Sequence, residues 1–218
     1  MKSTPEKHFY TLIEIMTVIV IAAILFGIGI PAFTTMIRGN NMTVAIRQLS
    51  SKISAARAYA VANRCNVAVI LVENESGVKD DYCYSAYRVC VVEDEKDSSD
   101  KYPFREWIED ENWKTLPKGV LRESVSKHDD VNNIPVSNGS ELIGGSFTTA
   151  SALIFQKNGQ MKNDTSTIKL RQGRYVNSSF FWTERSGDGK IISHPIEVQK
   201  YSGKVTVKDI TEDSASGT

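Results

Sequence analysis

Residues Phe9 to Phe33, FYTLIEIMTVIVIAAILFGIGIPAF, form an almost unbroken apolar run. From Ile15 to Ile37 no charged residue occurs over 23 positions. A helix rises about 1.5 Å per residue, so this stretch covers the roughly 30 Å hydrocarbon layer of a bilayer. From Met42 the pattern changes. Met42, Ile46, Leu49, Ile53, Ala56 and Ala60 recur in steps of four and three, which is one face of a helix. The two patterns together predict one long helix from about Tyr10 to Asn63. Its transmembrane half, 10–37, is apolar all round; its amphipathic half, 38–64, docks on a sheet. Gly27, Gly29 and Pro31 interrupt it. Proline lacks a backbone donor and clashes one turn back, so a kink or locally melted turn is expected there.

After Asn63 the period shortens. Asn66–Glu73 (NVAVILVE) is β-branched and reads as a strand. Strand-like runs follow at 82–93, 104–113, 118–124, 152–156, 167–171, 175–184 and 191–207, the last broken at Ser202-Gly203. Asn158-Gly159 and Ser202-Gly203 are hairpin-type turns. The predicted fold class is α+β, a long N-terminal helix packed on an antiparallel β-sheet head at 65–211. Residues 93–147 read as an insertion in that head, with Lys127 to Gly145 an exposed, turn-rich stretch. Residues 212–218 read as a flexible tail.

One acid, Glu14, lies inside the apolar run. An ionisable group in a spanning segment costs a few kcal/mol and usually has a partner. A cleaved secretory signal would be shorter, with a small-x-small site after it. An ordinary signal-anchor would leave Glu14 without a role. Lys2 and Lys7 precede the run and favour a cytoplasmic N-terminus, which places the head in the periplasm of a diderm cell.

Tyr10-Thr11-Leu12-Ile13-Glu14 ahead of an apolar run resembles the N-terminal signature of type IV pilins and type II secretion pseudopilins. The resemblance implies a leader of residues 1–9, cleavage between Phe9 and Tyr10, and N-methylation of Tyr10. It makes Glu14 the fifth mature residue and Pro31 the proline that follows it by 17 positions. The family usually has Gly before the cut and Phe after it; here Phe9 precedes Tyr10. The helix end SAARAYAVANRCNVAVIL, with the later LIFQKNGQM and IEVQKYSGKVTV, is similar to the GspH/FimT-type minor pseudopilins and pilins. The implied partners are other pilin subunits, a prepilin peptidase, an inner-membrane assembly platform and membrane lipid. Glu14 would act in assembly, facing the free amine of a neighbouring subunit's Tyr10.

Composition adds limits. The 218 residues carry equal numbers of basic and acidic groups, so bulk charge makes no case for nucleic acid. Cys65, Cys83 and Cys90 have no metal-site spacing; in an oxidising space they allow one disulfide among three possible pairings. No GxSxG, HExxH or P-loop pattern occurs, and the expected role is structural rather than enzymatic. His128-Asp129-Asp130 reads as a solvated loop, and His8 and His194 bring no visible partner. No cofactor is expected. Asp94 to Asp100 and Ser186 to Gly189 offer oxygen ligands suited to calcium but lack EF-hand spacing. Lys162, Lys169, Arg171 and Arg174 form a loose basic run that would serve DNA only if clustered on one face. The leading expectation is a filament subunit of a pilus or secretion machine. The alternatives are a filament-associated module binding DNA or secreted cargo, and an uncleaved membrane-anchored protein.

Overall fold

The computed structural model describes residues 11–74, 78–135 and 147–213, apart from the side chains of 28–39 within the first helix. The expected leader, its cleavage position and Tyr10 lie outside the described residues. The chain divides into two compact units, Met1–Asn40 and Asn41–Thr218, and helix α1 (Leu12–Asn63) supplies residues to both. α1 continues through Gly27, Gly29 and Pro31 without a break.

Twelve strands follow among the described residues: β1 (Asn66–Leu71), β2 (Ala86–Val92), β3 (Tyr102–Trp107), β4 (Lys114–Thr115), β5 (Val120–Val125), β6 (Asp129–Asn132), β7 (Ala150–Phe155), β8 (Ser166–Val176), β9 (Ser179–Trp182), β10 (Ile191–Val198), β11 (Val205–Val207) and β12 (Thr211–Asp213). They do not make a single antiparallel sheet. β1, β7, β6, β3 and β2 pair in turn, and β2 pairs back to β1, which closes a ring. The β3–β6 pair is parallel, with Tyr102 opposite Val131. A parallel pair needs a crossover rather than a tight turn. The chain supplies one by adding β4 beside β2, then running β5 in the second sheet and returning as β6. The second sheet runs β11-β10-β8-β5, with β9 on β8 and β12 on β10, and is antiparallel throughout.

Every residue of β1, β2 and β7 is buried, because each strand has protein on both faces. Ala68, Ile70, Cys90, Val92, Val131, Ala152 and Ile154 pack together on the inner side of the ring. Val67, Val69, Leu71, Val89, Leu153 and Phe155 point the other way and meet α1 together with Ile168, Leu170, Ile196 and Val198 of the second sheet. The helix contributes Met42, Ala45, Leu49, Ile53, Ala56 and Ala60, none more than 3% exposed. Each large aliphatic side chain buried this way stabilises by about 1.5–3 kcal/mol. The amphipathic half of α1 is therefore the lid that joins the two sheets.

Three expectations need correcting. Residues 93–147 are not a mere insertion, since they supply β3 and β6 to the ring and β5 to the second sheet. His128-Asp129-Asp130 is not a solvated loop: Asp129 opens β6, is 8% exposed and pairs with Lys96 at 3.2 Å. The tail does not fray from Glu212, because Thr211–Asp213 pairs with β10. In the last two cases charged residues are held in strands by specific ion pairs, which hydrophobic patterning does not register.

β12 is held by one carboxylate. Asp213 accepts from Lys169 Nζ at 2.9 Å, Ser193 Oγ at 2.7 Å and Arg171 at 2.5 Å. The Lys169 bond first, then Ser193, and Arg171 after them hold its carboxyl down to about 2 against the opposing effect of burial. A depressed folded-state pKa gives stability that is present above the unfolded value, about 3.9, and lost as pH falls through the folded one. The protection of the amides of residues 211–213, taken relative to their intrinsic exchange rates, should therefore fall between about pH 4 and pH 2. Asp213→Asn should give fast exchange at neutral pH and erase that dependence.

Candidate assembly surface

Within the N-terminal unit, every described side chain from Thr11 to Gly27 is exposed except Ala22, which is half-buried. The exposed set includes Leu12 at 79%, Ile13 at 73%, Leu25 and Phe26. Glu14 is the one ionisable residue in that stretch. A helix that is apolar all round is ordinarily covered by protein or by lipid. A contiguous apolar surface of this kind marks an interaction or membrane site. Among the described residues, no helix is long and apolar enough to cross a membrane.

Glu14 has a local partner that the sequence reading missed. The Thr11 amide donates to Glu14 Oε2 at 3.4 Å, and the Glu14 amide donates to Thr11 Oγ1 at 3.3 Å. This reciprocal pair is a capping box, which satisfies two of the donors left over at a helix start. The signal was present as Thr11-x-x-Glu14 directly before an apolar run. Glu14 thus holds the first turn of α1 in shape whether or not another chain supplies a cation.

The basic run does not gather into one cationic face. Lys169 and Arg171 are engaged by Asp213, and Arg171 also by Glu123 at 2.7 Å. Lys162 donates to the Asp94 carbonyl at 3.1 Å. Arg174 is exposed and lies over the Phe181 ring at 5.5 Å. Phosphates would have to compete with carboxylates already in place at two of the four positions. Near Arg174 a cleft of about 500 Å³ sets Asp80 and Asp81 against Lys118 and Arg174, a balanced charge rather than a basic one.

The acidic loop is internally satisfied. Asp97 accepts from Ser99 Oγ at 2.6 Å, Ser99 N at 2.8 Å, Lys101 N at 3.2 Å and Asn132 Nδ2 at 2.5 Å. These donors, Ser99 and then Asn132 foremost, hold its carboxyl at about 2. Lys96 bridges Asp100 and Asp129. Among the described residues, no three His, Cys, Asp or Glu side chains gather to hold a metal ion. Ser186–Gly189 forms the tight turn that leads into β10.

No disulfide joins Cys65, Cys83 and Cys90, which all stand as thiols. Cys65 packs against the α1 side of the sheets, whereas Cys83 and Cys90 are buried in the cluster inside the ring. The sheet wall therefore separates Cys65 from the other two. Burial pushes the Cys65 and Cys90 thiols up, which keeps them protonated and unreactive.

Neither a protein-family model nor a curated protein matches the sequence. Among solved structures, the chain is similar to the type IV minor pilin FimU of Pseudomonas aeruginosa, at 11% identity and a TM-score of 0.42 over 78% of this chain and 90% of that one. It is also similar to the minor pseudopilin EpsH of the type 2 secretion system of Vibrio cholerae, at 11% identity and a TM-score of 0.39 over 76% of this chain and 94% of that one.

Proposed function

We propose that this chain is a structural subunit of the minor pilin or pseudopilin type, held in the inner membrane by α1 before joining a filament of a type IV pilus or type II secretion machine. The observation that carries the reading is the change of character along α1. Its first half exposes apolar side chains on all sides, and its second half buries one face on a β-rich head. The charge-free run Ile15–Ile37 supports the membrane half of the reading from sequence. The head's work is packing. Peptidase, assembly platform and sibling subunits are the partners this reading requires.

Glu14 has two roles to separate, capping its own helix and meeting a cation on another copy. Glutamine caps nearly as well as glutamate but carries no charge. Glu14→Ala should loosen the first turn by about 1 kcal/mol and impair incorporation. Glu14→Gln should keep the cap and still impair incorporation, read as the fraction of subunit in sheared filaments. Normal incorporation of Glu14→Gln would leave capping as the whole role. Mass spectrometry of the N-terminus then distinguishes a processed subunit from an uncleaved anchor. A chain beginning at methylated Tyr10 supports the reading, and an intact Met1 on all membrane-bound protein counts against it.

A further inference from the structure

The strands at sheet edges are protected unequally. β11 is flanked by Lys204 and Lys208, and β12 carries Glu212 and Asp213. Such charges discourage pairing with another strand. β9 has none of these devices. It reads Ser179-Phe180-Phe181-Trp182, without charge, proline or bulge, and among the described residues it pairs only with β8.

The turn fixes which backbone groups of β9 face outward. Asn177 and Ser178 both have positive φ, +48° and +61°, as a two-residue type I′ hairpin requires. Val176 and Ser179 flank the turn, and Arg174 faces Phe181. Residues 179 and 181 then bond inward to β8, which the Thr183 amide continues by donating to the Gln172 carbonyl at 2.9 Å. Phe180 and Trp182 accordingly turn their N–H and C=O groups away from β8. The next outward group, the Glu184 carbonyl, already accepts from Ile192 at 3.3 Å. The open edge is thus two residues long and symmetric about Phe181.

We propose that β9 pairs with β9 of a second copy of this chain, antiparallel, with Phe181 on the two-fold axis. In that register Phe180 bonds Trp182 of the other copy and Trp182 bonds its Phe180, so every outward group on both edges is used. Shifting the register toward Glu184 is blocked by Ile192. Shifting it toward the turn leaves one residue per strand unmatched. Phe181, 48% exposed, meets its own counterpart at a non-hydrogen-bonded position, where side chains approach most closely. No carboxylate or cation on β9 opposes a like charge. A two-fold contact requires a surface that is its own complement, and this edge is one. The proposal does not depend on the membrane reading of α1.

The test is oxidative cross-linking of the full chain in mild detergent. Phe181→Cys places two thiols with Cα atoms about 4.5 Å apart, within disulfide range. Ser179→Cys puts its pair about 13 Å apart in the same register, out of reach. Because both positions are exposed, neither change disturbs the core. The expected result is a covalent dimer as the main species for Phe181→Cys and only the wild-type background for Ser179→Cys. Equal cross-linking of both, or of neither, overturns the proposal. A different polypeptide seated on β9 would also leave purified Phe181→Cys monomeric and count against it.

Discussion

Gly203→Ala is expected to lower the stability of the Asn41–Thr218 unit by about 3 kcal/mol. Gly203 sits at φ +58° in the turn between β10 and β11. A left-handed conformation costs a residue with a Cβ roughly 1–2 kcal/mol on its own. Here the added carbon would also collide with the Gly159 carbonyl oxygen and lie 2.7 Å from Arg57 Cδ. The Gly159 carbonyl cannot easily yield, because it accepts from Arg57 Nε at 3.1 Å. The Met161 amide donates to the Lys200 carbonyl at 2.9 Å, which ties the two turns together. Two hairpin turns and the helix thus meet at one crowded point. The midpoint of thermal unfolding should fall by roughly 6–12 °C for a unit of this size. Gly187→Ala is the control, since nothing lies within 4 Å of a Cβ there. It should change stability by less than about 0.5 kcal/mol. An unchanged midpoint for Gly203→Ala would mean that the turns are free to separate.

The same region shows what patterning along the chain conveys and what it hides. Asn158-Gly159 and Ser202-Gly203 are legible as turns, because glycine at a left-handed position has a local cause. Their contact is not legible, since it depends on where α1 places Arg57. β1 and β2 are legible as strands from their β-branched residues, and β7 from a short apolar run ahead of the Asn158-Gly159 turn. Because both faces are buried, no alternation shows which face meets α1 and which lines the ring. β6 and β12 are invisible to hydrophobic reading: DDVN and TED qualify as strands only through Lys96, Lys169 and Arg171 elsewhere in the chain. The helical face from Met42 to Ala60 is the clearest success, since the period alone identifies five of its six buried positions; Ala45 is the sixth, and Ile46 is half-buried. Glu14 is the instructive miss. Its spacing from Thr11 carries a capping signal as plain as the apolar run beside it.

Arg122 should prove a different kind of weak point, one where removing its partner harms more than replacing the arginine with an uncharged side chain of similar volume. Its side chain on β5 is buried, 3% exposed, and reaches across to the end of β1. It donates to the Val72 carbonyl at 3.0 Å and to Glu73 Oε1 at 3.2 Å, and lies 5.7 Å from the Tyr84 ring. Burial lowers its pKa, and Glu73 opposes that effect. The guanidinium therefore bolts the second sheet to the ring. Arg122→Ala empties that volume and leaves the Val72 carbonyl without this donor, at an expected cost of about 3 kcal/mol. Arg122→Met keeps most of the volume and removes the buried charge along with its desolvation penalty, so about 1 kcal/mol is expected. Glu73→Ala leaves the buried cation without its counter-charge. That usually costs 3–5 kcal/mol, reduced here to about 2 because Glu73 is itself 38% exposed and solvent screens part of the interaction. The predicted order of damage in urea unfolding is Arg122→Ala, then Glu73→Ala, then Arg122→Met. If Arg122→Met were the worst of the three, methionine would not fit the space that the guanidinium fills, and the assumption of conserved volume would fail. Equal losses for Arg122→Ala and Arg122→Met would show that volume contributes nothing to the join between the sheets.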